Sequence, residues 1–204
     1  MFFKQLKGQG DNFSYIIADE NTKETAVIDA GFNVEEIKNI LADENLKLIH
    51  IINTHDHIDH VLANDELKSR FGAKTVAHRL SKITTDVRVD EGGVIRVGNV
   101  SVKVIYTPGH SADSICLLVN DKKLLTGDTL LVGSVGSTAM AGGDSKSMYD
   151  SLFNKLLRLE DDVEVYPGHD RGARPSSTLG DEKRSNKALQ SRSVEEFIDS
   201  IKQP

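Results

Sequence analysis

The chain of 204 residues is long enough for one sizeable folded domain, and its composition excludes several classes of protein. Hydrophobic residues make up 38% of it, which argues against a disordered or fibrous protein. A net charge of −6 without any block of Lys or Arg predicts that nucleic acid is not a partner. No apolar run has the length of a membrane span, and Met1 is not followed by the apolar core of a signal peptide. We therefore expect a cytoplasmic protein that does not bind membranes.

The first half of the chain alternates short strands with helices. Three apolar runs separated by Gly and Asn turns predict strands: FFKQL, FSYIIAD and ETAVIDA. Asn33, followed three residues later by Glu36, predicts a capping box at the start of the helix VEEIKNILADENL. The run KLIHIIN is then a buried strand, VLANDELKSRFG a helix that ends at Gly72, and AKTVAH another strand.

The middle of the chain is rich in strands, and the end returns to helices. GGVIRVG, VSVKVIY, SICLLV and KKLLTG predict strands, whereas SKSMYDSLFNKLLRL has helical spacing and DVEVY is again a strand. The single cysteine, Cys116, lies in one of these apolar runs and is interpreted as a small buried hydrophobic residue. Because the strands form meanders as well as βαβ units, we predict an α+β fold in which two sheets pack between outer helices. A single domain over residues 1–204, with a short helical tail over about 176–204 that includes SVEEFIDSIK, is expected.

The stretch NTHDHIDH places three histidines and two aspartates in six consecutive positions, directly after a predicted strand. His55 and His57 lie two residues apart, so in an extended segment both rings project from the same side. Asp59 and His60 follow where the next helix begins, and strand-to-helix turns are where α/β folds place ligands. This pattern predicts a metal site.

Three further motifs place metal-binding side chains after predicted strands. His110 in YTPGHS and His169 in YPGHD each follow a Pro–Gly turn, and Asp128 follows a strand and a glycine in LLTGDTLL. His50 and His78 lack such a turn and are interpreted as structural or incidental. The remaining five histidines and two aspartates are enough for two metals that share a carboxylate. Nitrogen and oxygen ligands without a thiolate suit zinc, Fe(II) or Mn.

The order THDHIDH, PGH, GD and PGHD resembles that of the metallo-β-lactamase fold superfamily, within its glyoxalase II-like branch. The resemblance implies an αββα four-layer sandwich with the metals at one edge between the two sheets. It implies that one metal is bound by His55, His57 and His110, the other by Asp59, His60 and His169, and that Asp128 bridges both. Asp29, in VIDAG, would orient a ligating imidazole.

The resemblance implies a metal-dependent hydrolase that cleaves a thioester or related ester. A hydroxide formed from water bound to two divalent metals, zinc before iron or manganese, would attack the carbonyl, and Asp59 and Asp128 would direct it. The alternative is a persulfide dioxygenase of the same branch, in which one Fe(II) is bound by His55, His110 and Asp128. A lactonase-like hydrolase that does not use glutathione is a third hypothesis.

One position departs from the pattern of the glutathione-using relatives. Where they have Arg or Lys after the bridging GD motif, this chain has Ser137. Either the substrate is a different small thiol or ester, or Arg171 and Arg174 supply the positive charge. The sequence does not determine the oligomeric state.

Overall fold

Two six-stranded sheets face each other in the computed structural model, which describes residues 1–202. The first sheet contains, in spatial order, β1 (Phe2–Lys7), β2 (Phe13–Ala18), β3 (Glu24–Ile28), β4 (Lys47–Ile52), β5 (Lys74–His78) and β6 (Val87–Val89). The second contains β14 (Ser177–Thr178), β13 (Glu164–Pro167), β10 (Lys123–Gly127), β9 (Ile115–Val119), β8 (Val100–Tyr106) and β7 (Val94–Val97). A small hairpin follows β10 and consists of β11 (Leu130–Leu131) and β12 (Ser134–Val135).

Helices cover the outer side of each sheet. The helices beside the first sheet connect its strands: α1 (Val34–Asp43) lies between β3 and β4, and α2 (Ile58–Val61) and α3 (Asn64–Phe71) lie between β4 and β5. The second is covered by α4 (Ser145–Tyr149), α5 (Leu179–Ser185) and α6 (Val194–Ile201), with a 3-10 turn at Lys187–Gln190. No helix among residues 1–202 is long and apolar enough to cross a membrane.

Three apolar clusters hold these layers together. The central cluster lies between the sheets and includes Tyr15 and Leu117, while the outer clusters join α1 and α3 to the first sheet and α4 and α6 to the second. Every residue of β2 and of β9 is buried, because each strand has a sheet on one side and helices on the other. The predicted αββα sandwich is confirmed.

The predicted capping box at Asn33 is wrong. Asn33 does precede α1, but its side chain makes no capping hydrogen bond, and its backbone (φ −94°, ψ 21°) is not in the extended region that such a bond requires. Instead the buried Asn33 side chain packs beside Gly8. The first turn of α1 contains Glu35 and Glu36, whose negative charges interact favourably with the positive end of the helix dipole.

Two helices that the sequence predicts as continuous are interrupted. The segment predicted as one helix ending at Gly72 contains a break after Val61, and α3 then ends at Gly72 in the left-handed conformation as predicted. The segment from Ser145 begins as α4, becomes a π-helix over Asp150–Lys155 and ends in a 3-10 turn. Periodicity alone does not distinguish these helix types, because the same apolar stripe continues through them.

The tail after residue 176 is part of the fold's core. It begins with β14, which pairs with β13, and Leu179 and Phe197 are fully buried in the second outer cluster. The predicted terminal helix is α6, whose cap Ser193 accepts a hydrogen bond from the Glu196 amide. Residues 203 and 204 of the predicted tail lie outside the described residues. The short strands β6, β11, β12 and β14 are not predicted by the sequence, since two or three residues carry no period.

Cys116 is fully buried, as predicted, and burial raises the pKa of its thiol to about 12. Because the thiolate is the reactive form, we expect Cys116 not to react with iodoacetamide at pH 8 in the native protein. Mass spectrometry should find one added carbamidomethyl group only after denaturation. Modification of the native protein at the rate of a free thiol would contradict the buried position.

Candidate metal centre

Strand ends from both sheets meet at one edge of the sandwich and bring the seven predicted ligands together. His55 and His57 follow β4 of the first sheet, and His60 lies in α2 just beyond. From the second sheet, His110 follows β8 and Asp128 follows β10. Asp59 and His169 complete the set, from α2 and from the turn after β13. Five of these side chains therefore lie on turns that follow strands, and the other two, Asp59 and His60, lie in α2.

The first group consists of His55, His57 and His110. The Nδ1 atom of His57 lies 3.0 Å from Nε2 of His55 and 2.9 Å from Nε2 of His110. A ring nitrogen offers either one proton or one lone pair, so hydrogen bonds cannot satisfy all three atoms. Three nitrogens within 4.8 Å of one another could instead bind one cation.

The second group consists of Asp59, His60 and His169. Oδ2 of Asp59 lies 3.7 Å from Nε2 of His60 and 3.5 Å from Nε2 of His169, and the two imidazole nitrogens are 3.4 Å apart. Both rings are buried, whereas the Asp59 side chain is 31% exposed and borders the cavity.

Asp128 lies between the two groups. Its Oδ2 is 3.5 Å from Nε2 of His110, in the first group, and 3.2 Å from Nε2 of His169, in the second. Its Oδ1 is buried without a hydrogen-bond partner. A single carboxylate is therefore within reach of both groups, and its free oxygen is one that a cation could satisfy.

Hydrogen bonds to the outer ring nitrogens point the inner nitrogens toward the centre. The Nδ1 atoms of four histidines lie 2.7–3.1 Å from oxygen atoms outside the two groups: His55 from Thr54 Oγ1, His60 from Asp29 Oδ2, His110 from the Ser137 carbonyl and His169 from Asp11 Oδ1. If each Nδ1 carries the proton, each Nε2 offers a lone pair to the centre. This is the arrangement found around ligating histidines.

Asp29 orients side chains on both sides of the centre. It contacts His60 directly, and it accepts hydrogen bonds from the Thr54 amide (2.8 Å) and the Thr54 hydroxyl (2.7 Å). Because the Thr54 hydroxyl in turn contacts His55, one carboxylate holds two imidazoles. Asp29 is 2% exposed and has a left-handed backbone (φ 52°), which turns the chain sharply after β3. Asp29 is thus placed where it can orient both imidazoles, which is the role that the resemblance implies for it.

The two groups differ in charge. Burial lowers the pKa of His55 and of His110, so both are neutral at pH 7, the form that coordinates metal. Burial also acts to lower the pKa of His60, but the carboxylates of Asp29, Asp128 and Asp59 outweigh it and raise that pKa to about 9. For Asp128, burial is outweighed by the hydrogen bond from His169 and the charges of His60 and His55, so its pKa lies well below the usual range. A cation bound by the second group would therefore replace the additional proton that His60 carries at pH 7.

The donor set fits divalent metal ions. Five imidazoles and two carboxylates converge, their outer nitrogens are held by acceptors, and a buried carboxylate oxygen lacks a partner. Nitrogen and oxygen ligands of this kind suit zinc, iron or manganese.

Gly168, in the Pro–Gly turn before His169, allows the backbone to approach the centre. A Cβ atom at this position would overlap Asp128 Oδ1 and lie 3.0 Å from the His60 ring. The Gly168 amide donates to the Gly127 carbonyl (2.7 Å), so the backbone is fixed where it is. The Pro–Gly turn therefore brings the backbone close to the candidate ligands.

A cavity of about 290 Å³ opens onto both groups. Besides the candidate ligands, Ser137, Arg171, Ile58 and Met140 line it. Arg171 also donates to Asp11 (2.8 Å). Arg174 instead pairs with Asp181 (2.9 Å) and is not among the lining residues, so of the two predicted arginines the structure brings only Arg171 to the cavity.

Several residues of the site are not found by reading motifs. Asp11 and Asn12 lie in the turn between β1 and β2, where Gly, Asp and Asn are ordinary turn residues and give no functional signal. His50 and His78 lie outside the groups of candidate ligands among residues 1–202, as predicted. His78 stacks on Tyr106, with ring centroids 4.2 Å apart.

Comparison with known proteins identifies relatives of two activities. Residues 8–169 match the Metallo-beta-lactamase superfamily. The human mitochondrial persulfide dioxygenase ETHE1 is 31% identical over 91% of this chain and 74% of its own length. Hydroxyacylglutathione hydrolase of Rhodopseudomonas palustris (strain BisB5) is 39% identical over 89% of this chain and 71% of its own.

Among solved structures, ETHE1 from Myxococcus xanthus superposes with a TM-score of 0.94 at 36% identity, covering 100% of this chain and 91% of that one. The resemblance to the glyoxalase II-like branch is confirmed, since both kinds of enzyme are homologues, and the fold implies metal binding by a metalloenzyme. The match over residues 8–169, the two sheets and the relatives agree, and the chain belongs to the metallo-β-lactamase superfamily.

Proposed function

We propose that this protein is an iron-dependent dioxygenase acting on a persulfide of a small thiol. The observation that carries the proposal is the superposition on ETHE1 of Myxococcus xanthus, which extends over the whole chain, including the tail. In this chain the tail belongs to the outer helix layer, where Phe197 packs against Tyr149 and Phe153. The dioxygenase is therefore preferred to the thioester hydrolase, which is the leading hypothesis from the sequence.

His55, His110 and Asp128 would hold the iron. Two histidines and one carboxylate are the ligand set of non-haem Fe(II) oxygenases, and the ion would supply the activation of dioxygen. The chain's own part is to hold the Nε2 atoms of His55 and His110 toward the centre, through Thr54 and the Ser137 carbonyl. Arg171 would attract an anionic substrate at the cavity's rim.

The reaction balances with dioxygen and water as the only co-reactants. The outer sulfur of R–S–SH is oxidised and the sulfur–sulfur bond breaks, so that R–SSH, O₂ and H₂O yield R–SH, sulfite and two protons. Dioxygen is the oxidant, and the thiol leaves with a proton.

The deciding experiment is iron analysis combined with oxygen uptake. Protein purified without added metal should contain close to one iron per chain and consume oxygen with glutathione persulfide or cysteine persulfide. His110→Ala should lose iron and activity, whereas His57→Ala should keep much of both, since His57 is not one of the three ligands. Two zinc ions per chain and no oxygen uptake by the iron-loaded protein would refute the proposal.

A second candidate is the thioester hydrolase predicted from the sequence. It is favoured by the complete second group and by the position of Asp128 between both groups. A protein loaded with two zinc ions would then hydrolyse S-lactoylglutathione, and His57→Ala would be as inactive as His110→Ala.

Ser137 should limit the use of glutathione substrates under either activity. Its side chain cannot supply the charge that relatives place there, and a charge-assisted contact contributes about 1.5–3 kcal/mol. Ser137→Arg should raise kcat/KM for glutathione substrates by about 10- to 100-fold and leave a substrate without carboxylates little changed. The carbonyl that contacts His110 belongs to the backbone and is retained. If Ser137→Arg has no effect while Arg171→Gln abolishes turnover of glutathione substrates, the charge comes from Arg171.

A further inference from the structure

A short polar loop, Gly8–Asn12, connects β1 to β2 and contacts the turn that carries His169. The loop is closed by a hydrogen bond from the Gly8 amide to the Asn12 carbonyl (2.7 Å). The Asp170 amide donates to the Asp11 carbonyl (2.6 Å), and Asn12 forms an isolated β-bridge with His169. The loop is thus held against the metal centre by backbone contacts.

Both polar side chains at the end of this loop contact the second group. Asp11 Oδ1 lies 3.0 Å from Nδ1 of His169, and its Oδ2 accepts a hydrogen bond from Arg171. Asn12, which is 7% exposed, donates from Nδ2 to Oδ2 of Asp59 at 3.0 Å and to the Asp59 carbonyl at 3.3 Å. The oxygen that Asn12 contacts is the one that faces His60 and His169.

The first group is oriented by other parts of the chain. The outer nitrogen of His55 contacts Thr54, and that of His110 contacts the Ser137 carbonyl. Neither residue belongs to the loop. Two of the three side chains in the second group, Asp59 and His169, therefore depend on the loop for their orientation, while the third, His60, is held by Asp29.

We propose that the Gly8–Asn12 loop sets the metal affinity of the second group separately from that of the first. Asn12 holds the partly exposed Asp59 carboxylate toward the two imidazoles, and Asp11 keeps the inner nitrogen of His169 free for a cation. Without these contacts, Asp59 could turn to solvent and His169 could rotate. Outer partners of this kind typically contribute 10- to 100-fold in metal affinity.

The experiment is a zinc titration of metal-free protein against a competing chelator. Wild-type protein should bind two zinc ions in separable steps. Asn12→Ala and Asp11→Ala should each weaken the second step by about 10- to 100-fold and change the first by less than about twofold. Asp170→Ala is the matched control, because it removes a neighbouring carboxylate whose partner is the surface residue Lys7. Circular dichroism and thermal melting of the metal-free proteins should show that each variant is folded.

Three outcomes would overturn the inference. They are uptake of a single zinc ion by wild-type protein, equal weakening of both steps in Asn12→Ala, and an unchanged second step in both variants. A variant that fails to fold is replaced by the conservative Asn12→Ser or Asp11→Asn, to which the same expectations apply in weaker form. The readout is zinc affinity and not oxygen uptake, so this inference and the proposed dioxygenase activity can fail independently.

Discussion

Asp128→Asn is expected to weaken metal binding in both groups and to abolish turnover. The change keeps the size of the side chain but removes the charge of the one carboxylate that lies within 3.5 Å of His110 and 3.2 Å of His169. Loss of an outer partner alone costs about 10- to 100-fold in metal affinity, so loss of the central carboxylate should cost more than about 100-fold. Elemental analysis after dialysis and oxygen uptake with a persulfide would measure both effects.

The control for this change is Asp162→Asn. Asp162 forms an exposed pair with Lys122, and such pairs contribute little, so metal content and activity should stay at the wild-type values. If Asp128→Asn retained its full metal content, the central position of this carboxylate would be irrelevant to binding. Loss of one metal with retention of the other would show that Asp128 serves a single group.

Gly168→Ala should damage the centre without altering any candidate ligand. The added methyl group would overlap Asp128 Oδ1, and the backbone cannot retreat, because Gly168 is hydrogen-bonded both to Gly127 (2.7 Å) and to the Phe13 amide (2.8 Å). The carboxylate of Asp128 or the ring of His60 must therefore move. A misplacement of about 1 Å can reduce catalysis by about 100-fold, and overpacking costs about 1–3 kcal/mol of folding free energy.

Two measurements on Gly168→Ala separate the loss of catalysis from the loss of stability. The first is kcat/KM together with metal content, and the second is the free energy of unfolding in urea. Gly180→Ala, in α5, is the matched control, since the atoms nearest to its added methyl group are Asp161 and Arg184, which are outside the centre. We expect its activity to stay within about twofold of wild type, as for changes away from functional features. A Gly168→Ala protein with normal metal content and activity would mean that the turn adjusts without cost.

The sequence by itself determined the candidate ligands and the layered fold. The seven candidate ligands are recognisable because each stands in a short local motif after an apolar strand, and three of them, His110, Asp128 and His169, follow a Pro–Gly or Gly turn. The main strands are recognisable because buried strands form continuous apolar runs. His50 and His78 could be set aside for the converse reason, since neither has a turn motif before it.

Only the tertiary structure decided how these motifs are supported. Asp11 meets His169, 158 residues away, because the β1–β2 loop of the first sheet lies against the edge of the second. Asn12 meets Asp59, 47 residues away, because the same loop lies beside α2, which connects two strands of its own sheet. No spacing in the chain encodes such contacts. The same holds for Asn33, whose side chain packs near Gly8 and does not cap its helix. The candidate metal ligands can therefore be identified from short sequence motifs. The residues that orient those ligands are identified only from the tertiary structure, because folding brings them together from distant parts of the chain.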